Sequence, residues 1–147
     1  MQEKVAITSD HAGYALKMAI AGTLRSRGLE VLDLGPEGVS PVDYPDMADR
    51  LAEALANGDA PRGIIICGTG IGISIAANRH RHIRAALCHD ITTARMARLH
   101  NDANVLALGS LVIGQTVAID CVDTFLATRF EGGRHAQRVA KLGPVGA

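Results

Sequence analysis

The segment Cys67-Gly68-Thr69-Gly70-Ile71-Gly72-Ile73-Ser74 carries the sharpest chemical signal in the sequence. It joins a run of isoleucines that reads as a buried strand to the start of a helix. Glycines at such a junction let backbone N–H groups converge on an anion, and the helix dipole reinforces them. A cysteine held there is expected to titrate below its ordinary range, so that more of it is thiolate. A tight turn around an inert, buried cysteine is the plain alternative. Three alternate glycines exceed what a turn needs, and that favours function. A dinucleotide fingerprint is a different functional reading, since Gly68, Gly70 and an acidic Asp90 beyond the next strand resemble one. Against it, the third glycine comes one residue early, at Gly72, and Ile73 holds the fingerprint position. No Lys-Ser or Lys-Thr follows, so the pattern excludes a P-loop.

Other polar groups are candidates by position. Asp10 and His11 end the first apolar run, as a helix cap with a surface histidine or as site residues beside the third strand. His100, Asn101 and Asp102 close a helix, where a histidine often serves only as a favourable C-terminal charge. Arg134 and Arg138 stand at i and i+4, so in a helix they point the same way. Two guanidiniums on one face suit a phosphate, although the motif alone reads better as a solvated basic face. The run Arg79-His80-Arg81-His82 lacks nearby carboxylates in sequence and reads as an exposed loop rather than a metal site. His89 and Asp90 read as the cap of the next helix.

The elements that must position these groups alternate regularly. Strands are expected at Val5–Ser9, Leu29–Leu34, Gly63–Cys67, Arg84–Cys88 and Val105–Leu108. Helices are expected at Tyr14–Arg27, Asp46–Ala56, Gly72–Asn78, Thr92–Leu99 and Thr116–Phe130, with a helical tail from Arg134 to Lys141. The stretch up to Pro45 reads as loop. Strand–helix alternation implies a parallel sheet covered on both faces, an α/β fold in one domain over 1–147. Ligands of such folds bind beyond the carboxyl ends of the strands.

Composition narrows the function classes. The chain has 147 residues, 48% of them hydrophobic, and a formal net charge of zero. A packed globule is expected, without the basic field that nucleic-acid or membrane surfaces usually need. With no Trp, two Tyr and two Phe, stacking platforms for single strands are unexpected. Cys67, Cys88 and Cys121 form neither a CxxC pair nor a disulfide frame. The first residues show no signal-peptide pattern, and the expectation is a cytoplasmic protein with reduced thiols.

Five ordered segments, SDHAGYALK, DYPD, IIICGTGIGISIAANR, HNDANVLALGS and FEGGRHAQRV, give the chain its resemblance. Over nearly its whole length it resembles the ribose-5-phosphate isomerase B family, which also contains galactose-6-phosphate isomerase subunits. That resemblance implies a Rossmann-like three-layer sandwich with a five-stranded parallel sheet. It implies an enzyme without metal or cofactor, interconverting ribose 5-phosphate and ribulose 5-phosphate through an enediolate. A homodimer with active sites shared between subunits is implied as well, with a tetramer as the larger option. By resemblance, Cys67 moves a proton between C1 and C2, and His100 protonates the ring oxygen. Asp10 and Thr69 handle hydroxyl protons. Backbone amides of Gly68, Thr69, Gly70, Ile71, Gly72 and Ser74 stabilise the enediolate. His11, Arg134 and Arg138 hold the phosphate, and Tyr44 and Asn101 line the sugar. Isomerase activity on allose 6-phosphate or galactose 6-phosphate is the alternative, and a nucleotide-binding module is the alternative outside catalysis. One departure stands out. Family members commonly carry an Arg after the Gly-Ser that ends the fifth strand, and here Gly109-Ser110 is followed by Leu111.

Overall fold

The apolar runs become five parallel strands in a computed structural model that describes residues 3–143. They are β1 (Lys4–Ser9), β2 (Glu30–Asp33), β3 (Arg62–Cys67), β4 (Ala85–Leu87) and β5 (Val105–Gly109). The sheet order is β2-β1-β3-β5-β4, every pairing parallel. Six helices connect or follow them: α1 (Tyr14–Ser26), α2 (Tyr44–Ala56), α3 (Ile71–Asn78), α4 (Ile91–Asn101), α5 (Gln115–Ala127) and α6 (Arg134–Ala140).

The central strands are continuous hydrophobic runs because both faces are covered. Val5, Ile7, Ile64, Ile66, Leu106 and Leu108 pack with α1, α4 and α5 on one face. Ala6, Ile65, Cys67, Val105 and Ala107 pack with α2 and α3 on the other. The chain leaves β1 for β2 on one side, whereas the strands after β3 lie on the opposite side. The crevice between the carboxyl ends of β1 and β3 is therefore a topological switch point, where such sheets bind ligands.

Several element ends differ from the sequence expectation. Helix α2 begins at Tyr44, two residues early, because Pro45 sits in its first turn, where proline's missing N–H costs nothing. Helix α4 is longer at both ends. At its start Asp90 is the cap, with Oδ1 accepting from Thr93 N at 2.7 Å. Helix α5 stops at Ala127, three residues early, and Thr128 is extended. The Thr128 carbonyl accepts from Arg98 Nε at 3.1 Å, an anchor that sequence periodicity does not register. Strand β4 is shorter by one residue at each end.

The 79–82 run is a correction in part. His80 Nε2 lies 2.7 Å from Asp49 Oδ1, so a carboxylate is nearby, contributed by α2. His82 Nε2 bonds the Ala52 carbonyl at 2.7 Å. These contacts pin the segment to α2, and the two rings meet edge to face. Buried Lys17 was not singled out from sequence. Its Nζ donates to both oxygens of Asp33 and to the Pro36 carbonyl at 2.7–2.9 Å, tying α1 to the end of β2.

Candidate active site

Cys67 ends β3 opposite Gly109 of β5 and is 5% exposed. The loop after it turns back over the sheet. Gly70 has φ of +78°, and a Cβ there would lie 2.9 Å from the Leu108 backbone, so only glycine brings the loop this close. At Gly72 a Cβ would come within 2.7 Å of the Tyr44 ring, so the bare backbone is what lets Tyr44 lie on the first turn of α3. The Gly70 N–H donates to Cys67 Sγ at 3.1 Å, and the Ile71 N–H donates to Thr69 Oγ1 at 3.2 Å. Negative charge forming on the sulphur thus meets a backbone donor already in place.

The expected ring of amides is shorter at its far end. The Ser74 N–H is committed to the Gly70 carbonyl at 3.1 Å, the first helical bond of α3. Gly72 and Ile73 precede that bond and keep open first-turn amides. Ser74 contributes instead through its hydroxyl, which donates to the Ile71 carbonyl at 2.8 Å and steadies the turn.

Asp10 and His11 flank this loop from β1. The Asp10 amide donates to the Ile66 carbonyl at 3.0 Å, and its Oδ1 accepts from Gly13 N at 3.0 Å. His11 Nδ1 lies 3.2 Å from Val42 N and 3.3 Å from Val42 O, so the Val42 backbone occupies that nitrogen and leaves Nε2 for a ligand. Ser110, at the carboxyl end of β5, ties the two loops together. Its Oγ donates to the carbonyls of Ala12, at 2.9 Å, and Cys67, at 3.3 Å.

The remaining expected site residues lie elsewhere. His100, Asn101 and Arg138 line one cavity of about 280 Å³ with His135 and Leu142. Arg134 opens the same helix, α6. Buried Arg98 fixes this end of α4 through Asp102 Oδ1 at 2.9 Å and the Ala103 carbonyl at 2.7 Å. The Asn101 carbonyl accepts from Arg84 just before β4. This group therefore sits at the amino ends of β4 and β5. Cys67 sits at the carboxyl end, with β5 between them. The four rises of about 3.3 Å between Val105 and Gly109 of β5 put those ends about 13 Å apart. Within one chain the base candidate and the cationic group occupy opposite edges of the sheet.

Two further groupings bear on chemistry. Burial pushes the thiol of Cys88 up, and that of Cys121 up to about 11. Neither is suited to act as a base, and both pack on the face away from Cys67. Asp90 is held below the ordinary carboxylate range by its hydrogen bond from the Thr93 amide. It is committed as a cap, and Ile73 is fully buried, so the two remaining parts of a dinucleotide fingerprint are spoken for.

Among the described residues, His100, Glu131 and His135 bring ligand-type atoms within 4.8 Å of one another. The two rings are stacked, with centroids 4.2 Å apart and planes 15° apart. A metal ion lies in the plane of each imidazole it binds, about 2.0–2.1 Å from nitrogen. Near-parallel stacked planes offer no such common point. The basic residues Arg134 and Arg138 are close enough to lower the His135 pKa and oppose a dication as well. This cluster does not fit a metal.

A parallel sheet with a thiol, open amides and polar side chains gathered at its switch point has the layout of an α/β ligand-binding site. Residues 5–142 match the family described as Ribose/Galactose Isomerase, and the chain belongs to that family. It is an aldose–ketose isomerase. It is 48% identical over 140 residues to ribose-5-phosphate isomerase B of Escherichia coli, covering 95% of this chain and 94% of the relative. The solved structure of ribose-5-phosphate isomerase B from Clostridium thermocellum superposes with a TM-score of 0.94 at 56% identity, covering 95% of both chains. That from Thermotoga maritima gives a TM-score of 0.94 at 48% identity, covering 97% of this chain and 98% of the other.

Proposed function

We propose that the chain interconverts ribose 5-phosphate and ribulose 5-phosphate, with Cys67 as the base and each active site built from two copies of the chain. The observation that carries this reading is the split of the site between opposite edges of the sheet. A sugar phosphate needs a base at one end and a cationic clamp at the other. One chain presents both parts but holds them too far apart. A second copy, docked so that its His100, Asn101, Arg134 and Arg138 face the first copy's Cys67 loop, completes the site. The surface of α3 beside that loop suits such a contact, since Ile71 and Ile75 are 52% and 61% exposed one turn apart.

The chemistry follows from the parts. Ring opening breaks the C1–O4 bond, with a proton passing from His100 to O4 and one leaving the O1 hydroxyl. Cys67 thiolate then takes the proton from C2, and the enediolate charge is met by the amides of Gly68, Thr69, Gly72 and Ile73. Returning the proton to C1 gives the ketose. Asp10 and Thr69 Oγ1 exchange the hydroxyl protons. His11 Nε2, Arg134 and Arg138 hold the phosphate, and Tyr44 and Asn101 flank the carbon chain. Names of relatives point to a five-carbon substrate, and a six-carbon aldose phosphate remains the competing one.

Mixing tests the shared site. Cys67→Ala and His100→Ala proteins are each expected to be nearly inactive. After subunit exchange, mixed dimers retain one site with both groups intact, so activity is expected to return. Proven exchange with no recovery would place both groups in one chain's site and overturn this reading. Turnover is also expected to be unchanged by EDTA, because the amides and guanidiniums carry the charge a metal would otherwise carry. A reproducible loss, restored by one metal, would contradict it.

A further inference from the structure

The segment Glu131-Gly132-Gly133-Arg134-His135 contains two groups the proposed mechanism leaves unused. Gly132 and Gly133 have φ of +70° and +55°, with no atom crowding either position. Their role is to turn the chain sharply, and the turn wraps Glu131 and His135 around the end of α4. The Glu131 N–H donates to the Leu99 carbonyl at 3.1 Å, which fixes the carboxylate beside the next residue, His100. Glu131 Oε2 is 3.9 Å from His100 Nε2 and 3.8 Å from His135 Nε2. His135 is 5% exposed, lies flat against His100, and its Nε2 has no hydrogen-bond partner among the described residues.

This arrangement divides labour between two similar rings. Burial first, then the neighbouring His100 and Arg134, lowers the pKa of His135 and so favours its neutral form. A neutral ring makes a flat wall and does not compete for the proton. His100 is half-open to the cavity and is the ring that can reach a ligand. It must carry a proton near Arg134 and Arg138, and Glu131 supplies the opposing charge. Donor–acceptor distances of this kind are often long without ligand and tighten when substrate binds.

We propose that Glu131 is a positioning residue for ring opening: its carboxylate, in a wall built with His135, orients His100 to give its proton to the sugar ring oxygen. The inference rests on the proposed function, in which His100 opens the ring. In that step the C1–O4 bond breaks, the proton from His100 ends on O4, and the O1 hydroxyl proton leaves as C1=O1 forms. Glu131 exchanges no proton with the sugar.

An open-chain substrate separates this role from a structural one. 4-Deoxyribose 5-phosphate lacks O4, cannot close a five-membered ring, and enters the isomerisation without ring opening. Glu131→Gln keeps the shape and removes the charge. It is expected to lower kcat/KM for ribose 5-phosphate about tenfold or more, within the range for impaired acid catalysis. For the 4-deoxy compound it is expected to stay within about twofold of the parent, since the proton transfers at carbon are untouched. Glu131→Asp keeps the charge at a greater distance, and an intermediate, equally selective loss is expected. Equal losses on both substrates, or no loss on either, in folded variants would overturn the role. His100→Ala is the control for the underlying reading. If it shows no selectivity for the ring form, ring opening by His100 is wrong and this inference falls with it. If His100→Ala is selective and Glu131→Gln is not, only the role of Glu131 fails.

Discussion

Cys67→Ala is expected to lower kcat on ribose 5-phosphate by about a hundred- to ten-thousandfold, the usual effect of losing a general base. The fold should survive. The substitution removes one sulphur from the cluster between β3 and α2–α3, at a cost of about 1 kcal/mol. The local cost falls on Gly70, whose N–H loses its 3.1 Å partner. Cys67→Ser separates these effects. Its hydroxyl still accepts from Gly70, but it does not ionise near neutral pH. A comparable loss in both variants therefore reports proton transfer rather than loop geometry. No other thiol can substitute, because Cys88 and Cys121 are buried beneath the opposite face with their pKa values raised. KM should change little, since the phosphate contacts are elsewhere. The measurement is steady-state kinetics with thermal unfolding of each variant. A folded Cys67→Ala protein with near-parental turnover would make another group the base.

The sheet was legible because its central strands are buried on both faces and read as unbroken Ile, Val and Leu runs. The Asp90 cap was legible because a carboxylate three residues before a helical Thr is a local signal. The Cys67 loop was legible for the same reason, its glycines being adjacent in sequence. What sequence reading lacked was distance along the sheet. His100 and Cys67 look like partners in one list of polar residues, yet they stand at opposite strand ends. The topology contained the clue: α4 runs back antiparallel to the strands, so a residue at its end must lie at the amino edge. The link from His100 to His135 was not legible, since only packing brings the end of α4 beside the turn before α6. Asp49 beside His80 was missed likewise, because an ion pair between separate elements leaves no periodic trace.

Leu111→Arg is expected to lower KM for ribose 5-phosphate about tenfold, the lower end of what a charged hydrogen bond is worth. Leucine can neither donate a hydrogen bond nor neutralise a dianion. Its placement makes the substitution informative. The Leu111 N–H donates to the Gly68 carbonyl at 2.9 Å, so its backbone is locked to the Cys67 loop. Its side chain is 80% exposed, and Cδ1 lies 3.3 Å from where a Gly68 Cβ would be. Ser110 beside it bonds the carbonyl of Ala12, next to His11. A longer cationic side chain at 111 therefore starts from the rim of the loop, on the same edge of the sheet as His11. Being exposed, the position accepts arginine without repacking, and stability should be nearly unchanged. The gain should be confined to phosphorylated sugars, because the new guanidinium meets charge that free ribose lacks. Parallel kinetics on ribose 5-phosphate and free ribose supply the comparison. A tenfold fall in KM for the phosphate alone places residue 111 in the clamp. If KM for ribose 5-phosphate stays the same or rises in the folded variant, residue 111 does not face the phosphate and the inferred clamp, which shares this rim through His11, is wrong.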